Sequence, residues 1–223
     1  MKTSYAVKQV AGSLIFFLII FISAGKIGYW QGLVYVSIGI LMTVLGYTIL
    51  KPDAGLISER GKPGEGAKKW DKTILLLSLL ATIVMYAVAG LDSGRFHWSP
   101  EFHPGLIITG IVLTAVGQFL FLLAQKQNKF FSSTVRIQSD RNHTVCDTGL
   151  YKFVRHPAYM GSIIQALGFP LLFGSLWSII PVAMLILLFI VRTSLEDETL
   201  MMELNGYSDY SKKTRYRIIP FVW

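Results

Sequence analysis

Apolar runs long enough to cross a lipid bilayer recur along this chain, and charged segments separate most of them. A helix needs roughly 20 apolar residues to span the hydrocarbon core, within a range of about 17–25. Candidate spans run from about Val10 to Ala24, Gly28 to Leu50, Thr73 to Leu91, Pro104 to Ala124, Pro157 to Gly174 and Leu176 to Val191. The third is expected to open on Asp71 as its capping residue. Almost nothing separates the last two, which read as a tight helical hairpin. Only 15% of residues are charged and 52% are hydrophobic, against about 25% charged in an ordinary soluble domain. The expected fold is an all-α integral membrane protein with about six transmembrane helices.

Charge tests that count independently. Lys2 and Lys8 precede the first run, and Lys26 alone follows it. The second loop holds Lys51, Arg60, Lys62, Lys68, Lys69 and Lys72, and the third only Arg95. The fourth holds Lys126, Lys129, Arg136, Arg141, Lys152 and Arg155. The fifth has none, and the tail has Arg192, Lys212, Lys213, Arg215 and Arg217. Nineteen of the 21 basic residues thus fall on one side and two on the other. Short cytoplasmic loops carry the Lys/Arg excess, so both termini and the two long loops are expected in the cytoplasm. Topology accounts for the net charge of +8, and no nucleic-acid partner is expected.

Several features carry no chemistry on this reading. Cys146 is the one cysteine, which excludes an intrachain disulfide and a cysteine metal cluster; it reads as a loop thiol. No cleavable secretory signal is expected, because the first apolar run lacks a small-residue cleavage site and further spans follow. Gly61 to Gly66 (GKPGEG) reads as a flexible loop, since it lacks the Lys-Ser/Thr ending of a phosphate loop. His97 and His103 read as interfacial residues, with Tyr29 and Trp30 in the same aromatic belt. His143 is expected to face solvent. No two of the four histidines stand at i, i+3 or i+4, so no metal is expected. Gln118, inside the fourth span, either bonds a neighbouring helix or marks a substrate path.

Polar density gathers at Asn128–Tyr159 and again from Arg192 onward. Pro157 suits the first position of a helix, which makes His156 a natural cap. The helix start offers amide donors and a positive dipole end to an anion, and Tyr159 lies about one turn from Arg155 and His156. At the end of the sixth span, Arg192 and Glu196 stand four apart and can pair, followed by Asp197 and Glu198. The hairpin returns this acidic patch to the side where Arg155 and His156 begin. Cationic donors on one wall and carboxylates on the other suit a zwitterionic ligand. A solvated acidic helix end with a structural Arg192–Glu196 pair stands equally open on physics alone.

The pattern reads Gly149, Tyr151, Arg155, His156, Pro157, Tyr159 and Gly161, then Arg192, Glu196, Asp197 and Leu200, then Gly206, Tyr207 and Tyr210, and last Arg215, Arg217 and Pro220. It resembles the isoprenylcysteine carboxyl methyltransferase family and, more loosely, the membrane phospholipid methyltransferases. The resemblance implies S-adenosyl-L-methionine as cofactor and a lipophilic or prenylated acceptor within membrane lipid, most closely an isoprenylcysteine-like carboxylate. It implies that Gly149, Leu150, His156, Tyr159 and Glu196 contact the cofactor and that Arg155 and Glu196 act in catalysis. Arg192, Tyr210 and Arg215 then fall to the acceptor. Residues 1–126 would form a scaffold with a lipid cavity and 127–223 a catalytic core facing the cytoplasm. Asp197 stands where many relatives have Glu, which weakens a role requiring reach, and Lys213 stands where many have Arg. A phospholipid amine acceptor, an NADPH-dependent sterol-type reductase sharing an RHPxY-like segment, and a non-enzymatic member of the fold are the alternatives.

Overall fold

Among the described residues of the computed structural model every regular element is helical, and four helices are long and apolar enough to cross a membrane. The structure describes residues 2–50 and 66–223, with side chains from residue 12 onward except at 49 and 50. Residues 61–65 of the glycine-containing loop, with Lys51, Arg60 and Lys62, lie outside the described residues. In chain order the helices are α1 (Lys2–Ala24), α2 (Trp30–Leu45), α3 (Lys69–Ala89), α4 (Pro104–Gln127), α5 (Pro157–Phe173), α6 (Ile179–Glu203) and α7 (Tyr207–Lys213). Gly46–Leu50 extends α2 and Gly90–Phe96 extends α3, both as π-helix. The long apolar helices are α2 with its extension, α3 with its extension, α4 and α6; Gly12–Ala24 and Pro157–Phe173 are shorter apolar helices. Leu18, Ile22, Leu76, Ile108, Ile180 and Leu187 all stand outward and exposed, as lipid-facing side chains do.

Helix α3 corrects one expectation. It begins at Lys69, with Lys68 at the cap position, so Asp71 lies inside the first turn rather than before it. Its carboxylate is fully buried and has distant partners, described with the site below. At α5, Pro157 occupies the first turn as expected, but the His156 side chain makes no capping hydrogen bond. His103 does cap α4, its Nδ1 accepting from the Gly105 amide at 3.1 Å.

The core of the bundle is aromatic. Tyr35 packs edge-on against Phe169 and Tyr86, and Phe169 lies 4.4 Å from Phe173 between ring centroids. Such offset and edge-to-face pairs add about 0.5–1.5 kcal/mol each beyond their buried area. Helices α4 and α5 approach most closely, because Gly110 and Gly117 on one face Gly168 and Gly161 on the other. A Cβ built on Gly161 would stand 2.6 Å from the Gly117 carbonyl, and one on Gly168 would stand 2.7 Å from the Gly110 carbonyl. Small residues at such a crossing let two backbones touch, which is the main attraction available where lipid offers no hydrophobic drive.

A buried carboxylate closes the bundle at the hairpin end. Asp92, fully buried, accepts from the Ser99 amide at 2.7 Å and from the hydroxyls of Ser99 and Ser175 at 2.6 Å each. Ser175 follows Gly174, whose φ of 63° ends α5 in the left-handed conformation open to glycine. The α5–α6 turn is thereby fastened to the end of α3. This connection sends α6 back antiparallel to α5 and returns its charged end to the level of Pro157. The α4–α5 contact carries the testable consequence here. Gly161→Leu should lower thermal stability in detergent, an overpacking cost of about 1–3 kcal/mol, whereas Leu187→Ala on the exposed face of α6 should leave the melting temperature nearly unchanged.

Candidate functional site

Successive acidic residues at the end of α6 enter three different environments. Glu198 is exposed, Asp197 is 2% exposed, and Glu196 is half-buried on the wall of a cavity. Neighbours on a helix point about 100° apart, so one carboxylate can anchor the fold while the next faces a ligand.

Asp197 is the anchor. Its Oδ1 and Oδ2 accept a two-pronged contact from Arg155 Nε and Nη2, both at 2.8 Å. Arg217 Nε donates to Oδ2 at 2.8 Å, the Tyr207 hydroxyl donates to Oδ1 at 2.7 Å, and His156 Nε2 lies 3.1 Å from Oδ1. Arg155 also donates to the carbonyls of Thr214 and Arg215. The Arg155 and His156 amides bond to the Tyr216 and Arg217 carbonyls, which stitches the tail against the segment leading into α5. Burial alone would lower the Arg155 pKa, yet the Asp197 carboxylate outweighs it and holds the guanidinium above its ordinary value. Burial, followed by the same carboxylate, pushes the Tyr207 hydroxyl well up, so it stays a donor.

A second ionic group forms the adjoining wall. Arg192 donates through Nε to Asp71 at 2.7 Å and through Nη2 to the Ser133 carbonyl at 3.0 Å. Asp71 also accepts the Val135 amide at 2.8 Å, so α3, α6 and the segment around Ser133 meet at one carboxylate. This corrects the sequence expectation of an Arg192–Glu196 pair. Glu196 instead accepts from the Tyr159 hydroxyl at 2.7 Å, and the Arg192 guanidinium lies over the Tyr159 ring at 5.6 Å. Arg192 finds a fully buried partner in Asp71, which leaves the carboxylate of Glu196 turned to the cavity.

That cavity has a volume of about 250 Å³. Arg155, His156, Tyr159, Arg192, Glu196 and Tyr210 all line it, so six of the residues singled out from sequence converge. Tyr210 donates its hydroxyl to the Tyr151 carbonyl at 2.7 Å. Three others fall outside the lining. Leu150 donates its amide to Gln127 Oε1 at 2.7 Å, Gly149 packs on the same side chain, and Arg215 is exposed. Sequence reasoning passed over Asp71, Tyr207 and Ser133. Tyr207 stood in the GYxxY pattern, but no signal local to Asp71 or Ser133 marks them. The Ser133 hydroxyl is buried in the cavity wall with no hydrogen-bond partner among the described residues.

His143 also departs from expectation. It lines the cavity, stacks on Phe130 at 4.5 Å between centroids, and accepts the Gln138 amide at Nδ1. Burial, with Arg136 and Arg141 adding to it, lowers its pKa to about 4. The described residues hold no group of three or more His, Cys, Asp and Glu side chains that could bind a metal ion.

Residues 106–202 match the sequence profile of the isoprenylcysteine carboxyl methyltransferase (ICMT) family. The chain is 31% identical over 101 residues to the protein-S-isoprenylcysteine O-methyltransferase of Schizosaccharomyces pombe, covering 44% of this chain and 43% of that protein. It is 27% identical over 123 residues to the protein of the same name from Saccharomyces cerevisiae, covering 52% and 49%. A probable protein-S-isoprenylcysteine O-methyltransferase of Oryza sativa subsp. japonica is 24% identical over 116 residues, covering 51% and 60%. The matched part therefore spans roughly half the length of these relatives.

Removing one partner of a buried ion pair strands the others, at a cost of about 3–5 kcal/mol. Asp197→Ala should therefore unfold at markedly lower temperature or denaturant concentration in detergent. His143 gives a pH signature of definite sign. Its folded pKa lies below the unfolded one, so the unfolded chain takes up the proton first. Its contribution to stability is intact above about 6.5 and is lost as pH falls towards about 4. Melting curves of the wild type and His143→Phe across that window should converge as pH drops.

Proposed function

We propose, since residues 106–202 match the profile of the isoprenylcysteine carboxyl methyltransferase family, that this protein transfers a methyl group from S-adenosyl-L-methionine to a lipophilic acceptor, most closely the carboxylate of an isoprenylcysteine-like molecule. The observation that carries the proposal is the Glu196 carboxylate, fixed by Tyr159 and turned into the cavity beside the Arg192 guanidinium. The residues fit a zwitterionic cofactor. Glu196 offers a negative group to its cationic centres, and the orphaned Ser133 hydroxyl offers a buried hydrogen-bonding group within the same wall. When bound, the cofactor supplies a methyl already activated on a sulfonium.

The protein's task in such a transfer is alignment, because the leaving group is preformed. Tyr159 orients Glu196, and Arg192 keeps Tyr159 in place by lying over its ring. Arg155 and His156 act through Asp197, holding the start of α5 and the tail at a fixed separation. His156 Nε2 is engaged with Asp197 and Tyr207. A carboxylate acceptor is ionised at neutral pH and needs no base, whereas an amine must first lose a proton. The O-methyltransferase names of the three relatives support an oxygen acceptor over an amine and methyl transfer over reduction.

The same reading makes the protein a multi-pass membrane enzyme with six crossing helices, both termini in the cytoplasm and its cavity open to that side. The 19-to-2 division of basic residues supports it, as does the lining of the cavity by Arg136, Arg155 and Arg192, three of the nineteen. The experiment is a transfer assay with radiolabelled S-adenosylmethionine and N-acetyl-S-farnesylcysteine, followed by alkali. A methyl ester releases volatile methanol under base and an N-methyl group does not. Wild type should give alkali-labile label. Glu196→Gln should lower both cofactor affinity and turnover by at least about tenfold, the worth of one charge-assisted contact. Cofactor affinity unchanged in Glu196→Gln would remove the proposal's support.

A further inference from the structure

The tail after α7 is fastened to the site on its inner side and presents apolar side chains on its outer side. The Thr214 hydroxyl bonds to the carbonyls of Tyr151 and Lys152 at 3.3 and 3.4 Å. The carbonyls of Tyr216 and Arg217 accept the Arg155 and His156 amides at 2.9 and 2.8 Å. The chain then closes on itself. The Trp223 carbonyl oxygen accepts from the amides of Arg217, Ile218 and Ile219 at 2.9, 3.0 and 3.1 Å, and the Arg217 guanidinium lies over the Trp223 ring at 5.0 Å. Ile218 is buried by this turn, whereas Phe221 is 88% and Val222 75% exposed, with Ile219 exposed between them and the tail's inner side. Phe221 holds a φ of 66°, a conformation that costs a bulky residue energy. Phe153, next to the Lys152 carbonyl that Thr214 engages, is 68% exposed.

Burying large apolar side chains is favourable, so a closed turn that buries one and sends three outward has a second apolar environment to meet. Its level in the molecule indicates which. Residues 155 and 156, to which the turn is hydrogen bonded, stand one and two positions before Pro157, where the apolar helix α5 begins. Two residues of chain span at most about 7 Å, so the turn sits where a membrane helix leaves the bilayer. The charges nearby are of one sign. Between Gly206 and Trp223 the one acidic residue is Asp209, which pairs with Lys212 at 2.9 Å. Lys152, Lys213 and Arg215 are exposed and form no salt bridge among the described residues. Arg215 lies outside the cavity lining, so the site leaves its charge unused.

We propose that this turn, with Lys152 and Phe153, docks on the bilayer surface where α5 enters, its apolar side chains seated among anionic lipid headgroups that pair with Lys152, Lys213 and Arg215. Anionic lipid offers both an apolar boundary and negative charge at that level. An acidic segment of a partner protein offers the charge alone, and is the rival occupant. The proposal rests on the membrane reading of the helices and makes no use of the methyl donor or acceptor.

The test follows amide hydrogen exchange of the full-length protein in nanodiscs of phosphatidylcholine alone or with phosphatidylglycerol added. Exchange in residues 214–223 should slow at least about tenfold in the anionic discs, the scale of one or two basic residues at a charged surface. The difference should shrink as ionic strength rises from about 0.05 to about 0.5 M, because screening shortens the reach of the charges. Lys152→Gln/Lys213→Gln/Arg215→Gln should remove it, while Lys152→Arg/Lys213→Arg/Arg215→Lys, which keeps every charge, should retain it. Phe221→Ser/Val222→Ser should lower protection in the anionic discs. Equal exchange in the two kinds of disc overturns the proposal, as does a lipid preference that survives in the triple glutamine variant. Protection by soluble polyglutamate in neutral discs, with no response to anionic lipid, would assign the surface to an acidic protein and overturn it too. Fast exchange across α3 and α4 in the discs would strike the membrane reading first, and this proposal with it.

Discussion

Asp197 makes the rest of the site possible. Its two oxygens accept from Arg155, Arg217 and Tyr207 and sit beside His156. One carboxylate thereby joins the end of α6, the approach to α5, helix α7 and the tail. A buried charge is tolerated only when its hydrogen-bonding capacity is met, and here the network meets it from four directions. The expectation that an aspartate would lack reach is reversed by the geometry. The arginine comes to the carboxylate, and the shorter side chain keeps α6 close to the His156–Pro157 turn.

Glu196 inherits its position from that arrangement. With Asp197 committed inward, the preceding residue is turned along the helix surface towards the cavity. Asp71 completes the division by engaging Arg192, the cation that sequence spacing allowed to pair with Glu196. Three carboxylates therefore share the cations unequally. Two are saturated and structural, and the third is held by a neutral tyrosine hydroxyl and faces the cavity.

The bilayer imposes the complementary constraint. Backbone groups must be satisfied within each helix, and polar side chains at depth must meet one another or a bound molecule. The Asp92 cluster and the Tyr35–Tyr86–Gln165 group obey this internally. Gln118 of α4 lines a second cavity, which adjoins the site across Phe121. The glycine pairs of α4 and α5 matter for the same reason. They bring the two helices that wall both cavities into backbone contact, which fixes the spacing of the side chains above and below.

Much of this was legible in the residues. Apolar run length and turn chemistry are local properties, so the helices, the start of α5 at Pro157 and the hairpin after Gly174 could be read directly. The clustering of Arg155, His156, Tyr159 and Glu196 followed from the hairpin, which returns the chain to its starting level. Partner choice was not legible. Arg192 meets Asp71 across 121 positions in sequence, and no local spacing competes with a fully buried carboxylate once tertiary packing brings it near. His143 and Gln118 are similar cases, since their environments are built by segments distant in the chain. The sequence alone determined which segments are helical and which end of the bundle carries charge, because those depend on transfer free energies of neighbouring residues. The tertiary structure alone decided which carboxylate anchors and which faces the cavity, because ion-pair energy depends on distance and burial in three dimensions.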